Sequence, residues 1–383
     1  MIDLARQEIA ASARLVIVKV GSRVLTTADG KLDDHRIDSL GEELSELMAQ
    51  DRKVVLVSSG AVAAGIGRLG LDRRPTDLAK LQAVAAVGQA YLIETYDRVF
   101  RRHGHHAAQV LLTSEDLNDR TRYLNVRNTI LTLLEYGAVP VVNENDTVAV
   151  DELAIAFGDN DRLAAMVTNL IRAPLMVILS DVDGLFDGDP ASPDSKLVPT
   201  VTRLDDAVMA YVRDKQSGLT KGGMASKLSA ARMATLAGEN VVIANGHVPG
   251  VLRQIMAGRT VGTLLLAQGK SVSPWKRWIG FSARPCGQLV IDAGAQKAVL
   301  QRGRSLLAAG VLSVSGSFRK GDIVALCDAD GMEIARGLTN YPSDEIAKIR
   351  GLQSRQIAQV LGYHPYDEVI HRDNLAITAQ PES

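Results

Sequence analysis

Two short polar clusters, Asn143-Glu144-Asn145-Asp146 and Gly158-Asp159-Asn160-Asp161, lie between the apolar run Ala138 to Val142 and a helix-like segment from Arg162 to Ile171. Carboxylates beside amides on a loop can grip a small zwitterion and orient cationic side chains. Candidate cations occur elsewhere in the chain. Lys19 ends the β-branched run Leu15 to Val20 and precedes Gly21-Ser22. A lone lysine at a strand end more often snorkels to water, but at the carboxyl end of a buried strand it is also a flexible point charge that can follow a phosphoryl group. Ser58-Ser59-Gly60-Ala61 turns from a second strand into a helix, offering amides and hydroxyls to an anion as readily as it would cap the helix. Lys221-Gly222-Gly223-Met224-Ala225-Ser226-Lys227 opens a helix predicted to run to Ala237, with Lys227 one turn in, an arrangement suited to nucleotide phosphates. Ser180-Asp181 follows another strand and leads into the Asp183-Gly184 turn. The sequence offers lysines, glycine turns and oriented carboxylates, with neither a nucleophile arrangement nor a metal cage. Phosphoryl transfer needs little else, because its transition state is stabilised mostly by positioning and by cations around the moving group.

These residues must be placed by a scaffold. Runs at Leu15 to Val20, Val54 to Val57, Ala107 to Leu112, Ala138 to Val142, Leu175 to Leu179 and Val241 to Ala244 alternate with helical patterns such as Leu78 to Phe100. That alternation predicts an α/β domain over 1–267: a mostly parallel sheet sandwiched between helices. Asp159 or Asn160 is placed to cap the Arg162 to Ile171 helix. Residues 268–277 read as a linker. Shorter segments with turns at Ser315-Gly316, Lys320-Gly321-Asp322 and Asp330-Gly331 predict a small β-rich domain over 278–375, and 376–383 reads as a tail.

Two nucleotide motifs are present only in part. Gly65-Ile66-Gly67-Arg68-Leu69-Gly70 matches the dinucleotide fingerprint, but Ala61 to Ala64 separate it from its strand, and its glycines read as helix-end and turn positions. Gln268-Gly269-Lys270-Ser271 has the end of a Walker loop with Leu264 where its first glycine belongs.

With 383 residues and a net charge of -1, the chain has room for two cored domains and lacks the cationic excess of a nonspecific nucleic-acid binder. Cys286 and Cys327 read as reduced core thiols. No apolar run approaches the ~18 residues of a membrane helix, and the cytoplasm is the expected location.

In order, K-V-G-S at Lys19, V-S-S-G-A at Val57, V-N-E-N-D at Val142, F-G-D-N-D at Phe157, L-S-D-V-D-G-L at Leu179 and G-G-M-A-S-K at Gly222 form a specific set. With them the chain resembles the glutamate 5-kinases of the amino acid kinase family. S-L-L-A-A-G-V at Ser305, V-S-G-S-F at Val314, K-G-D-I-V at Lys320 and I-A-R-G-L at Ile334 are similar to a PUA domain. The resemblance implies an amino acid kinase-like αβα sandwich with a PUA-like C-terminal domain. It also implies ATP-dependent phosphorylation of the γ-carboxylate of L-glutamate in proline synthesis, with proline as inhibitor, a dimeric or tetrameric homo-oligomer, and Mg²⁺ carried with the nucleotide.

Carried over by position, Lys19, Ser180, Asp181 and residues 221–227 (Lys221, Gly222, Gly223, Met224, Ala225, Ser226 and Lys227) hold ATP, while Ser59, Asn143, Asp146 and Asn160 hold glutamate. Lys19 and Lys227 flank the phosphoryl group, and Asp159 is expected to align both. Thr220-Lys221 departs from the Gly-Thr common in the family, which leaves open whether Lys221 meets a phosphate. An N-acetylglutamate, aspartate or uridylate kinase shares much of this pattern. An RNA-binding PUA protein is the alternative from another class, although from Lys276 onward there are only 13 Lys and Arg against 11 Asp and Glu.

Overall fold

The buried run Leu15–Val20 (β1) lies inside an eight-stranded sheet, paired in parallel on one side with Lys53–Ser58 (β2) and on the other with Leu175–Ser180 (β5). These pairings come from a computed structural model that describes residues 3–27, 29–148, 160–205, 208–209, 211, 223–268, 273–363 and 366–379. Ala107–Leu112 (β3) and Val139–Glu144 (β4) extend the sheet beyond β2. Beyond β5 come Asn240–Asn245 (β7), Thr263–Leu265 (β8) and Thr200–Val201 (β6). The order is β3-β4-β2-β1-β5-β7-β8-β6; β8 pairs antiparallel with β7, and β6, parallel to β8, shares its reversed direction. Strands buried on both faces read as continuous apolar runs, which is why β1, β2, β4, β5 and β7 are visible in sequence, while β3 at the edge is only partly buried. β6 and β8, of two and three residues, leave no such signal.

Because the chain leaves β1 toward β2 and later returns to its other side at β5, a crevice opens at the carboxyl ends of these strands. Lys19 lies there, in register with Val57 and Ile178. The helix Ala61–Arg68 starts directly after β2, with Gly60 as N-cap at φ 107°, a left-handed conformation that glycine adopts without a Cβ clash. It packs closely on Leu78–Arg101: a Cβ on Gly88 would lie 1.8 Å from the Ala61 carbonyl oxygen, and one on Gly65 would lie 1.9 Å from that of Val84. Gly65 thus serves helix–helix contact inside the helix, not a helix end.

The chain divides into two units, one of residues 1–117 and 121–270, the other of 118–120 and 271–383. In the second, Gly287–Ile291 (β9), Val311–Gly316 (β11), Ile323–Cys327 (β12), Glu333–Leu338 (β13) and Leu375–Ile377 (β15) form a five-stranded sheet in the order β11-β9-β12-β13-β15. Leu306–Leu307 (β10) pairs separately with Glu368–Ile370 (β14). Leu289, Val324, Leu326, Tyr341 and Ile346 fill its core.

The structure differs from the sequence pattern at three further places. Residues 376 and 377, expected in a tail, belong to the last strand, whose three residues are too few to show alternation. Pro274–Arg277, expected in a linker, is helical. Cys286 is exposed, because it precedes β9 and lies outside the core, whereas Cys327 is buried. No helix among the described residues is long and apolar enough to cross a membrane.

Candidate functional site

Two lysines from separate elements converge on one carboxylate. Lys19 Nζ lies 2.6 Å from Asp161 Oδ1, and Lys227 Nζ donates to Asp161 Oδ2 at 3.3 Å. All three side chains are buried, with Asp161 fully so. Asp161 is the second residue of the helix Asn160–Ile171, where the helix dipole favours an anion. Lys227 occupies the first turn of Met224–Leu236, where the dipole disfavours a cation, and the carboxylate offsets that cost. Asp159, expected to align both lysines, lies outside the described residues. The carboxylate found between them is Asp161, two positions on. The helix reaches back at least to Asn160, two residues before the expected Arg162, so Asn160 lies within it, and Asp161 is carried into the interior.

Lys227 also lines a cavity of about 310 Å³ with Arg23, Ser180, Asp181, Gly223 and Met224. No side chain caps the Met224–Leu236 helix, whose N-cap is Gly223. The cap residue therefore brings no side-chain acceptor to its first amides, which suits an anion site. Ala225 and Ser226 follow on this helix without contributing to the cavity wall, and Lys221 and Gly222 lie outside the described residues. Burial pushes the Asp181 carboxyl up, yet hydrogen bonds from Arg23, its own backbone and Ser180, together with the Arg23 charge, outweigh it. The group lies below its ordinary range. Arg23 donates to Asp181 Oδ2 at 2.8 Å.

A second cavity, of about 780 Å³, is lined by all four residues assigned to the acceptor: Ser59, Asn143, Asp146 and Asn160. Gly60 and Ala61 bring the start of a helix into the same wall. Asn160 Nδ2 donates to Ser59 Oγ at 2.8 Å and to Asn143 Oδ1 at 3.1 Å, and Asn143 Nδ2 donates to Gln89 Oε1 at 2.9 Å. Asn160 Oδ1 is left buried without a hydrogen-bond partner among the described residues. Burial raises Asp146 from 3.8 to about 6, against the lowering effect of Arg74. Arg74 also borders this cavity.

Successive residues thus serve the two halves of the site. Asn160 faces the larger cavity, and Asp161 binds the lysine that lines the smaller one. Sequence reasoning missed Asp161 because F-G-D-N-D holds two aspartates and nothing in their order shows that the second is fully buried. It missed Gln89 and Arg23 because neither carries a motif.

A model of the amino acid kinase family matches residues 14–245, and one of the PUA domain matches residues 287–361. A glutamate 5-kinase of Rhodopirellula baltica is 49% identical over 381 residues, covering 99% of this chain and 98% of that relative. One of Geobacter sulfurreducens is 44% identical over 373 residues, covering 97% and 100%. One of Thermoanaerobacter sp. is 44% identical over 368 residues, covering 96% and 98%. With matches spanning both units and nearly the whole length, the chain belongs to the glutamate 5-kinases of the amino acid kinase family.

Proposed function

We propose that the chain transfers the γ-phosphoryl group of ATP to the γ-carboxylate of L-glutamate, releasing ADP and L-glutamyl 5-phosphate. The observation that carries this reading is the Asn160–Asp161 step, which joins the cavity lined by Ser59, Asn143, Asp146 and Asn160 to a pair of buried lysines. A glutamate side chain has an unperturbed pKa of about 4.3, so it arrives ionised and needs no general base. The obstacle is repulsion between carboxylate and phosphate, which Lys19 and Lys227 offset from fixed positions. Asp161 holds both ammonium groups in place, so little reorganisation is needed as charge shifts.

Asp146 and the open acceptor on Asn160 suit the α-ammonium of glutamate. Ser59 Oγ accepts from Asn160 and keeps its own hydrogen to donate to a carboxylate. An N-acetylated amine carries no charge for Asp146, which disfavours N-acetylglutamate. On the nucleotide side, Asp161 is engaged by two lysines and Asp181 by Arg23 and Ser180, so neither carboxylate is a ready Mg²⁺ ligand. Mg²⁺ would then come with the ATP phosphates and would neutralise part of their charge.

The resemblance extends the proposal to proline synthesis in the cytoplasm, inhibition by proline and a homo-oligomeric state. The test is ADP release with ATP and, in turn, glutamate, N-acetylglutamate, aspartate or UMP, with and without proline. Glutamate alone should support turnover. A preference for another acceptor overturns the reading, and glutamate turnover indifferent to proline removes the feedback claim.

Asp146 also sets a pH dependence. Protonation below about 6 removes the charge that attracts the ammonium. With the substrate's own charges nearly constant over this range, kcat/KM for glutamate should fall about tenfold from pH 8 to pH 5. Asp146→Asn should abolish that limb; an identical limb in the variant assigns it to another group. The linkage has the opposite sign for folding. The folded chain holds this proton more tightly than the unfolded chain, so Asp146 adds stability below 3.8 and loses it as pH rises through about 6.

A further inference from the structure

We infer that Gln89 is a positioning residue for the acceptor site: its side-chain oxygen fixes the amide of Asn143, which in turn fixes the face that Asn160 presents to the ligand's ammonium group. The inference rests on the glutamate reading above and extends it to a residue on a neighbouring helix. Gln89 is 7% exposed. It follows Gly88, whose missing Cβ lets Leu78–Arg101 approach the helix Ala61–Arg68.

The direction of each hydrogen bond follows from a backbone group. The Glu144 N–H can only donate, and it donates to Asn143 Oδ1 at 2.9 Å. This fixes Asn143 Oδ1 on that side and turns Nδ2 toward position 89, where Gln89 Oε1 accepts at 2.9 Å. Asn160 Nδ2 then meets the same Asn143 oxygen at 3.1 Å and Ser59 Oγ at 2.8 Å. Both of those bonds use the Asn160 nitrogen, so its oxygen is left as the acceptor without a partner among the described residues. An ammonium group supplies the missing donor. Without an acceptor at position 89, the Asn143 amide nitrogen loses its buried partner, and the flipped amide is no longer disfavoured on that side. A flipped Asn143 presents NH₂ to Asn160, and Asn160 must then turn its oxygen inward, away from the ligand.

The experiment uses the full chain with Gln89→Met, which keeps the length and removes the acceptor, and Gln89→Glu, which keeps an oxygen acceptor. Measured are kcat, KM for glutamate, KM for ATP and the inhibition constant of glutarate, which has both carboxylates and no ammonium. Gln89→Met should raise KM for glutamate about ten- to a hundredfold, with kcat, KM for ATP and glutarate inhibition nearly unchanged. Gln89→Glu should recover most of the loss. A merely structural role would weaken glutarate as much as glutamate, and that result overturns the inference. So does a KM for glutamate unchanged in Gln89→Met, or Gln89→Glu as impaired as Gln89→Met. Inactivity of the unaltered chain toward glutamate instead overturns the reading of the site, and this inference with it.

Discussion

Replacing Lys227 with Met should lower kcat by about 100- to 1,000-fold, with KM for glutamate changed by less than about threefold. The methionine keeps the unbranched stem, so the start of the Met224–Leu236 helix can remain packed while the ammonium is lost. Lys227 lines the smaller cavity and reaches Asp161, but it does not line the cavity assigned to glutamate. Its charge therefore matters most when the phosphoryl group moves. Steady-state kinetics with glutamate and ATP varied separately check this. Unchanged turnover removes Lys227 from the transfer step.

The second large effect belongs to Asp161→Asn. The amide is nearly isosteric, yet it cannot balance Lys19 at 2.6 Å or Lys227 at 3.3 Å. Removing one partner from a buried ion pair costs about 3–5 kcal/mol, so Tm should fall. Below that Tm, kcat should still drop by at least about 100-fold, because both cations lose the anchor that aims them. Asp146→Ala should fail differently, mainly in KM for glutamate, since Asp146 borders the acceptor cavity, which neither lysine lines. Thermal melts separate folding from function, and the contrast between kcat and KM separates transfer from recognition. Equal effects of the two variants on kcat would remove that division of labour.

The scaffold was legible where burial leaves a strong imprint. Leu15–Val20 and Leu175–Ser180 are covered on both faces and read as apolar runs. The edge of the sheet was not legible, since Thr200–Val201 and Thr263–Leu265 are too short for periodicity and the reversal of β8 depends on tertiary pairing. Within the site, the polar clusters themselves were visible in sequence, the acceptor role of Ser59, Asn143, Asp146 and Asn160 came from the family resemblance, and the structure brings all four to one cavity. The partner of the lysines was harder to assign. Asp161 shares one short cluster with Asp159, and its place in the helix Asn160–Ile171 carries it into full burial, which the cluster alone does not reveal. Gln89 lay beyond reach for a different reason: its bond to Asn143 joins residues 54 positions apart and follows no local rule.

The central claim is that Asp161 organises two lysines for transfer of a phosphoryl group to the glutamate carboxylate. Its most direct test is hydroxylamine trapping of the acyl phosphate formed from glutamate and ATP, with the unaltered chain and Asp161→Asn compared at saturating substrate. The unaltered chain should form hydroxamate in step with ADP, and Asp161→Asn should form it at least about 100-fold more slowly. ADP without hydroxamate from the unaltered chain, or trapping by Asp161→Asn at an undiminished rate, would contradict the account.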